Sequence, residues 1–164
     1  MEKHILYLLL GSNLGDKKKQ VDEAVEMIGE EIGEVTRRSS FYETEPWGFI
    51  SEEYFLNIAL QILTTLLPEE VMQKIGEIEM RYGRERSGSG YSSRKLDVDI
   101  LFYDTIVMDQ DILKIPHPLL QERRFVLVPL DEIAHDLIHP RLGKTIGVLL
   151  LNCSDNKYVR KIQR

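Results

Sequence analysis

Residues 84–102 read RERSGSGYSSRKLDVDILF, and this stretch decides how the rest of the chain is arranged. It begins as a basic, glycine-rich loop and ends in an apolar run that predicts a β-strand. Because side chains alternate along a strand, Asp97 and Asp99 would lie on one face, roughly 6.5 to 7 Å apart. Val98 and Ile100 would then face the core, so the strand presents two carboxylates on its other side.

The two aspartates and the arginines before them predict a site for a magnesium nucleotide. Two like charges on one face repel each other unless a cation lies nearby, and carboxylate oxygens suit Mg²⁺. Arg84 and Arg94 flank the loop, and guanidinium groups suit phosphate oxygens. The Ser/Gly-rich run at 87–90 is typical of a lid over a ligand, and equally typical of a solvated linker.

Upstream of this stretch, residues 5–10 form an apolar run that predicts a buried strand. Helical spacing predicts an amphipathic helix over 16–30, with Asn13 as its cap. The turn at Gly11 and Ser12 could bring the backbone close to a ligand, but so short a motif favours a plain strand-to-helix turn.

Residues 34–44 and 54–63 predict two further strands, joined by a loop with exposed aromatic residues that is either a ligand lid or folded onto the core. In the second strand the even-numbered residues predict the core face, while Phe55 and Asn57 fall on the other. A ring beside an amide can stack on a flat heterocycle and hydrogen-bond its edge. A solvated amide at the margin of the core would look the same.

A second helix is predicted from Pro68 to about Tyr82. After the aspartates, residues 100–103 and 105–108 predict a hairpin that turns near Asp104. His117 lies between two prolines and near Arg123, so it could donate to a phosphate, although a lone histidine is more often structural. From residue 131 onward a short helix and a loop-rich tail are predicted, and no residue pattern there indicates a functional site.

This order of strands and helices is typical of an α+β fold, the ferredoxin-like split βαβ sandwich. We expect a mainly antiparallel sheet, with both helices on one face and mobile loops over an open face. Asp97, Asp99, Phe55 and Asn57 would share that open face, which joins separate signals into one site.

Composition narrows the possible roles of the chain. Its 164 residues fit a single domain, 1–164, and its net charge of −6 argues against binding nucleic acid through long-range charge. The lone Cys153 allows no internal disulfide, and no hydrophobic run is long enough to span a membrane. We expect a cytoplasmic protein.

Several ordered motifs together resemble the 6-hydroxymethyl-7,8-dihydropterin pyrophosphokinases of folate biosynthesis. The most specific is Gly83-Arg84-x-Arg86 followed by Arg94-x-Leu96-Asp97-x-Asp99-Ile100-Leu101. Supporting motifs, over most of the chain, are LGSN at 10–13, YET at 42–44, F-x-N-x-A at 55–59, PH at 116–117 and R-x-F at 123–125.

The resemblance implies transfer of pyrophosphate from ATP to the pterin hydroxymethyl group, with release of AMP. It implies that Asp97 and Asp99 bind two Mg²⁺ ions, and that Arg84 and Arg94 join them in catalysis. The residues it implies for ATP are Glu79, Arg86, Ile100, Lys114, His117 and Arg123. Those it implies for the pterin are Thr44, Pro46, Gly48, Phe55, Asn57 and Phe125. We expect a monomer without nucleic-acid or membrane partners.

The chain departs from the commonest family pattern at a few positions. Tyr91-Ser92-Ser93 stands where Trp-Gly-Pro is frequent, and Gly90 stands at an often basic position, which predicts a looser lid. Glu45 stands in place of the first of two prolines, and Phe55 in place of a tyrosine.

Two other classes of protein share some of these features. A polymerase-beta-type nucleotidyltransferase also combines a Gly-Ser turn with an Asp-x-Asp strand, but here Ser12 and Asp97 are far apart in sequence. An RNA-binding module can share the split βαβ fold and its open-face aromatics. The acidic net charge and the aspartate pair, which would repel phosphates without a metal, count against that module.

Overall fold

The computed structural model describes residues 1–83 and 93–162. Arg84 and Arg86, and the lid predicted around them, lie outside the described residues. The elements, in chain order, are β1 (His4–Ser12), α1 (Lys17–Glu31), β2 (Gly33–Arg38), β3 (Phe41–Thr44), β4 (Phe55–Thr64), α2 (Pro68–Met80), β5 (Asp97–Tyr103), β6 (Met108–Asp109), β7 (Lys114–Ile115), a 3-10 turn (Leu120–Glu122), α3 (Arg124–Ala134), α4 (Ile146–Leu151) and β8 (Val159–Ile162).

The main sheet has the strand order β5-β1-β4-β3-β8, with β2 also paired to β4. All of these pairings are antiparallel, so the predicted antiparallel sheet is confirmed. The register places Gly11 of β1 opposite Asp97 of β5 on one side and opposite Asn57 of β4 on the other. Residues near the ends of three strands therefore lie in one row across the sheet.

Helices α1 and α2 pack on one face of this sheet, as predicted. Alternate residues of the strands point into their core, which contains Leu6, Leu8 and Leu10 of β1 and Ile58, Leu60 and Ile62 of β4. Val98 and Ile100 of β5 lie in the same core, so the predicted alternation of β5 is confirmed. Asp97 and Asp99 consequently point to the opposite face.

The opposite face is partly covered, so the expectation that helices lie on one face only was wrong. Tyr7 and Leu9 of β1 pack there against α3 and α4 in a second core with Leu127 and Ile146. Sequence reasoning missed α3 because its continuous apolar run contains Pro129, and an internal proline usually argues against a helix. The part of the face beyond Leu9 remains available for a site.

Three local predictions need correction. Residues 34–44 form two strands, β2 and β3, rather than one. The hairpin after β5 pairs β6 with β7, and residues 105–108 do not pair with β5. The cap of α1 is Asp16, whose carboxylate accepts from Lys19 N, so Asn13 is free of that role.

The tail after α4 adds a further strand to the sheet. Residues 159–162 form β8, which pairs with β3 at the sheet edge. Sequence reasoning predicted only loop there. No helix in residues 1–83 and 93–162 is long and apolar enough to cross a membrane.

Candidate active site

A cavity of about 450 Å³ opens on the sheet face beyond Leu9, between the ends of β3, β4 and β5 and the start of α3. Its lining comprises Leu9, Gly11, Thr44, Glu45, Trp47, Phe55, Asn57, Arg94, Asp97, Asp99, His117, Pro118, Leu119, Arg123 and Phe125. Carboxylates of β5 form one side, here named the aspartate side. Rings and amides from β3, β4, the following loop and α3 form the other, named the aromatic side.

Gly11 separates the two sides. It lies within β1 rather than in a turn, between its register partners Asp97 and Asn57. A Cβ atom at this position would lie 2.4 Å from Asn57 Nδ2 and 3.4 Å from Phe55 Cδ1. Any larger residue would therefore displace the Asn57 amide, and glycine leaves a floor on which both sides can meet one ligand.

The aspartate side is built on regular strand backbone. Asp97 and Asp99 are both half-buried, and Arg94 Nη1 lies 3.2 Å from Asp97 Oδ1. Behind the strand, the buried Glu79 carboxylate accepts a hydrogen bond from Val98 N at 2.9 Å. This contact fixes the backbone between the two aspartates from the α2 side of the sheet.

The aspartate pair suits Mg²⁺. No group of three or more His, Cys, Asp or Glu side chains is placed to hold a metal in the described ranges 1–83 and 93–162. Mg²⁺ is commonly bound by one or two carboxylates, with substrate phosphates and waters completing its shell. Two half-buried carboxylates on one face of a cavity fit that pattern.

Asn13 links the segment before β5 to the loop after β3. The side-chain Oδ1 of Asn13 accepts a hydrogen bond from Arg94 N at 2.7 Å, and the backbone N of Asn13 donates to Arg94 O at 2.9 Å. Its Nδ2 donates to Ser93 Oγ at 3.0 Å and to Glu53 O at 3.4 Å. A buried amide that sequence reasoning interpreted as a helix cap therefore holds two cavity-flanking segments together.

On the aromatic side, the Asn57 amide is held within a buried hydrogen-bond chain. Thr44 Oγ1 donates to Asn57 Oδ1 at 2.6 Å, and Asn57 Nδ2 donates to Leu10 O at 3.2 Å. Phe55, one step along the same face of β4, has the Phe49 ring edge-on at 6.1 Å between centroids. The amide and the ring are thus oriented before any ligand arrives.

Arg123 lies near two rings of the aromatic side. Its guanidinium carbon is 4.5 Å from the Trp47 ring centroid and 5.7 Å from that of Phe125. The side chain is buried, and such cation–π contacts strengthen when water is excluded. Trp47 of the loop is therefore joined to the start of α3.

His117 presents a neutral imidazole to the cavity. Leu119 N donates to its Nδ1 at 3.3 Å, so the neutral ring carries its proton on Nε2. Burial, followed by the positive charge of Arg123, lowers the pKa of His117 to about 4, against a smaller opposing effect of Asp97. At neutral pH this residue is an uncharged hydrogen-bond donor.

The structure brings together most of the residues predicted for the site. Those that line the cavity are Thr44, Phe55, Asn57, Arg94, Asp97, Asp99, His117, Arg123 and Phe125. Five others lie outside the lining. Glu79 lies behind β5, Ile100 lies in the α1/α2 core, Lys114 is exposed and paired with Asp109, Pro46 is buried, and Gly48 is exposed with φ of 86°.

Six lining residues were not assigned by sequence reasoning, namely Leu9, Gly11, Glu45, Trp47, Pro118 and Leu119. Trp47 carried a usable signal, because it is the only tryptophan and stands in a loop with exposed aromatics. Gly11 also carried a signal, because sequence reasoning allowed a turn close to a ligand there, although it favoured a plain turn, whereas Leu9 could be found only from the strand register.

Comparison with known proteins gives a consistent family. The family model described as 7,8-dihydro-6-hydroxymethylpterin-pyrophosphokinase (HPPK) matches residues 7–135. A protein of Aquifex aeolicus named 2-amino-4-hydroxy-6-hydroxymethyldihydropteridine pyrophosphokinase is 41% identical over 141 residues, which cover 86% of this chain and 87% of that protein. A Bacillus subtilis protein of the same name is 38% identical over 135 residues, covering 82% and 80%.

Solved structures share the fold. An HPPK-DHPS crystallised in complex with substrates matches with a TM-score of 0.74 at 14% identity, covering 92% of this chain and 43% of that one. Wild-type Plasmodium falciparum HPPK-DHPS with pteroate matches with a TM-score of 0.74 at 16% identity. The chain spans 44% of that second protein, and identities this low establish the fold alone.

Proposed function

The chain belongs to the 7,8-dihydro-6-hydroxymethylpterin-pyrophosphokinase family, and on that premise we propose that it transfers pyrophosphate from ATP to 6-hydroxymethyl-7,8-dihydropterin, releasing AMP. The observation that carries this proposal is the row Asp97, Gly11, Asn57 across three strands. On one side of Gly11 it places a carboxylate that can bind a metal ion together with phosphates. On the other side it places an amide that can hydrogen-bond the edge of a heterocycle.

On the aspartate side, Asp97 and Asp99 would hold two Mg²⁺ ions together with the ATP phosphates. When bound, Mg²⁺ supplies charge neutralisation at the phosphate oxygens. Phosphoryl-group transfer depends chiefly on positioning and electrostatic stabilisation, so no strong protein base is needed. Arg94, which lines the cavity just before β5, would bind the phosphates. We assign the same role to Arg84, with Arg86 completing the nucleotide pocket.

On the aromatic side, Phe55 and Phe125 would sandwich the pterin ring while Asn57 meets its edge. Asn57 is suited to this role because Thr44 and the Leu10 carbonyl fix its amide orientation. An oriented amide loses little conformational freedom on binding, which favours affinity. Thr44, Pro46 and Gly48 would contribute backbone groups nearby.

At the junction of the two sides, His117 and Arg123 would contact ATP. A neutral His117 that donates from Nε2 can bind a phosphate or ribose oxygen without a change of charge between pH 6 and 8. Arg123 supplies the positive charge. Lys114 remains a proposed nucleotide contact, whereas we propose that Glu79 and Ile100 serve the nucleotide site through β5, on whose other face they lie.

Several broader features also belong to this proposal. The strand order β5-β1-β4-β3 supports a ferredoxin-like split βαβ description of the core sheet. We propose that residues 1–164 form one pyrophosphokinase domain that works as a monomer in the cytoplasm, without nucleic-acid or membrane partners.

The deciding experiment is a product assay with the purified chain, ATP, Mg²⁺ and 6-hydroxymethyl-7,8-dihydropterin. We expect AMP and the pterin pyrophosphate in equal amounts, and no AMP when the pterin is omitted or Mg²⁺ is chelated. ADP as the product, or AMP release that does not depend on the pterin, would refute the proposed reaction.

A further inference from the structure

Residues 155–162, here named the tail, contact two parts of the aromatic side, the loop after β3 and the start of α3. The tail lies beyond residue 135, where the family-model match ends. Residues 159–162 add β8 to the edge of β3. Immediately before that strand, residues 155–158 pass the loop after β3 and the start of α3. Both of those segments carry cavity residues.

The first contact fastens the loop after β3. Tyr158 N donates to Glu45 Oε1 at 2.8 Å, and Glu45 N donates to Tyr158 O at 3.1 Å. Lys157 Nζ lies 3.9 Å from Glu45 Oε2, and the Tyr158 ring contacts Tyr54 with centroids 5.6 Å apart. Both ends of the loop 45–54 are therefore held by the tail.

These contacts depend on the residue at position 45. A proline there would have no N–H for the Tyr158 carbonyl and no carboxylate for the Tyr158 amide. Glu45 itself lines the cavity and lies two residues before Trp47. The departure from the family pattern thus coincides with the point at which the tail is attached.

The second contact fastens the start of α3. Asp155 Oδ2 accepts from Arg124 N at 2.9 Å, and Asp155 Oδ1 accepts from Lys157 N at 3.0 Å. No residue at the N-cap of α3 supplies a side-chain cap, so a carboxylate from the tail satisfies this first-turn N–H. Arg124 lies between Arg123 and Phe125, which both line the cavity.

We propose that the tail is a positioning device for the second substrate, in which Glu45 and Asp155 set the separation of the loop 45–54 from α3. This inference rests on the proposed function for the identity of that substrate. Glu45 and Asp155 are positioning residues, since they act through Trp47 and Phe125. Removing either contact should loosen the aromatic side and leave the aspartate side, on β5, unchanged.

The first measurement needs no substrate, because Trp47 is the only tryptophan and reports on the loop directly. We expect Glu45→Ala and Asp155→Ala to raise acrylamide quenching of Trp47 fluorescence in the ligand-free protein. Glu45→Gln and Asp155→Asn keep an acceptor oxygen and should remain near wild type. Glu52→Ala, an exposed glutamate in the same loop, is the charge-matched control and should change nothing.

The second measurement separates the KM values of the two substrates. We expect Glu45→Ala and Asp155→Ala to raise the pterin KM about tenfold, as for a lost charge-assisted hydrogen bond, with the ATP KM within about twofold of wild type. Both values unchanged, together with unchanged Trp47 quenching, would overturn the proposal. Equal rises for both substrates with a lowered Tm would also overturn it, since they indicate general destabilisation.

The two proposals fail in different ways. A wild-type chain that makes no AMP with the pterin refutes the reaction, whereas the fluorescence comparison still decides whether the tail positions the loop. If Glu45→Ala does not fold, the pair Asp155→Ala and Asp155→Asn gives the same test at the contact between the tail and α3.

Discussion

The two sides of the cavity are held in place by different kinds of bond. Asp97 and Asp99 belong to β5, whose backbone is paired with β1 and supported from behind by Glu79. On the aromatic side β3 and β4 are also paired, but the loop after β3 and the start of α3 are held by side chains, such as Arg123 on the Trp47 ring and Asp155 on Arg124 N. The two carboxylates thus stand on a paired strand, and the Glu79 side chain adds to the support that this pairing gives. The position of Trp47 and Phe125 on the aromatic side depends on individual side-chain contacts. Removing one such contact should therefore weaken pterin binding partially rather than abolish it.

The largest expected effect comes from removing a carboxylate on the aspartate side. Asp97→Ala and Asp99→Ala should each lower kcat by about 10³-fold, because each deletes a metal ligand where charge develops. Pterin binding measured by calorimetry should stay near wild type. Asp136→Ala, at an exposed aspartate after α3, is the matched control and should leave kcat unchanged. Wild-type turnover in either site variant would contradict the metal assignment.

The next effect concerns the amide of the aromatic side. Asn57→Ala should raise the pterin KM by about 10- to 100-fold, since it removes the edge contact and leaves the buried Thr44 hydroxyl without its acceptor. The ATP KM should change little. Gln61→Ala, an amide further along the same face of β4, is the control outside the cavity. An equal rise in both KM values would show that the two sides are not independent.

Asn13 tests the link between the sides. Asn13→Ala should lower kcat/KM for both substrates by about tenfold, because the amide holds Arg94 through its backbone and the loop after β3 through Glu53 O. Asn152→Ala, at an exposed asparagine, should have no effect. A change confined to one substrate would mean that Asn13 supports only the side on which that substrate binds.

The smallest effect expected on activity concerns His117. His117→Asn should raise the ATP KM about threefold at neutral pH, the loss expected for one neutral hydrogen bond. His135→Asn, at an exposed histidine, is the control and should leave the ATP KM unchanged. A change in the ATP KM near pH 6.5 that is present in the wild type and absent in His117→Asn would contradict a neutral His117 in that range.

The same variant has a larger effect on stability at acid pH. The folded pKa of His117 is about 4, below the ordinary 6.5, so between these values the unfolded chain binds a proton that the folded chain excludes. The free energy of unfolding therefore falls as pH is lowered from 6.5 to 4, and His117→Asn should reduce that fall by at most about 3 kcal/mol. Urea denaturation at pH 4.5 and 7.5 measures the difference. Identical pH dependence in both proteins would show that His117 titrates normally in the folded state.

Short-range patterns predicted much of the site. The alternation of β5 placed Asp97 and Asp99 opposite the core, and the alternation of β4 separated Asn57 from Ile58, both as found. The α3 helix could not be predicted in the same way, because Pro129 interrupts its signal and its stability depends on tertiary contacts, such as packing in the core that contains Leu9 and Leu101. The role of Asn13 was also hidden, since an asparagine before a helix favours a cap and its true partner, Arg94, is distant in sequence.

By itself the sequence determined the chemistry of the protein: two carboxylates on one strand face, arginines before them, and a ring and an amide on a second strand. These follow from residue type and from the two-residue period of a strand, both of which are local. Tertiary structure alone decided that Gly11 brings Asp97 and Asn57 into one row, and that the tail reaches Glu45 and Arg124. Such contacts depend on strand register and on chain segments distant in sequence, which local preferences do not specify.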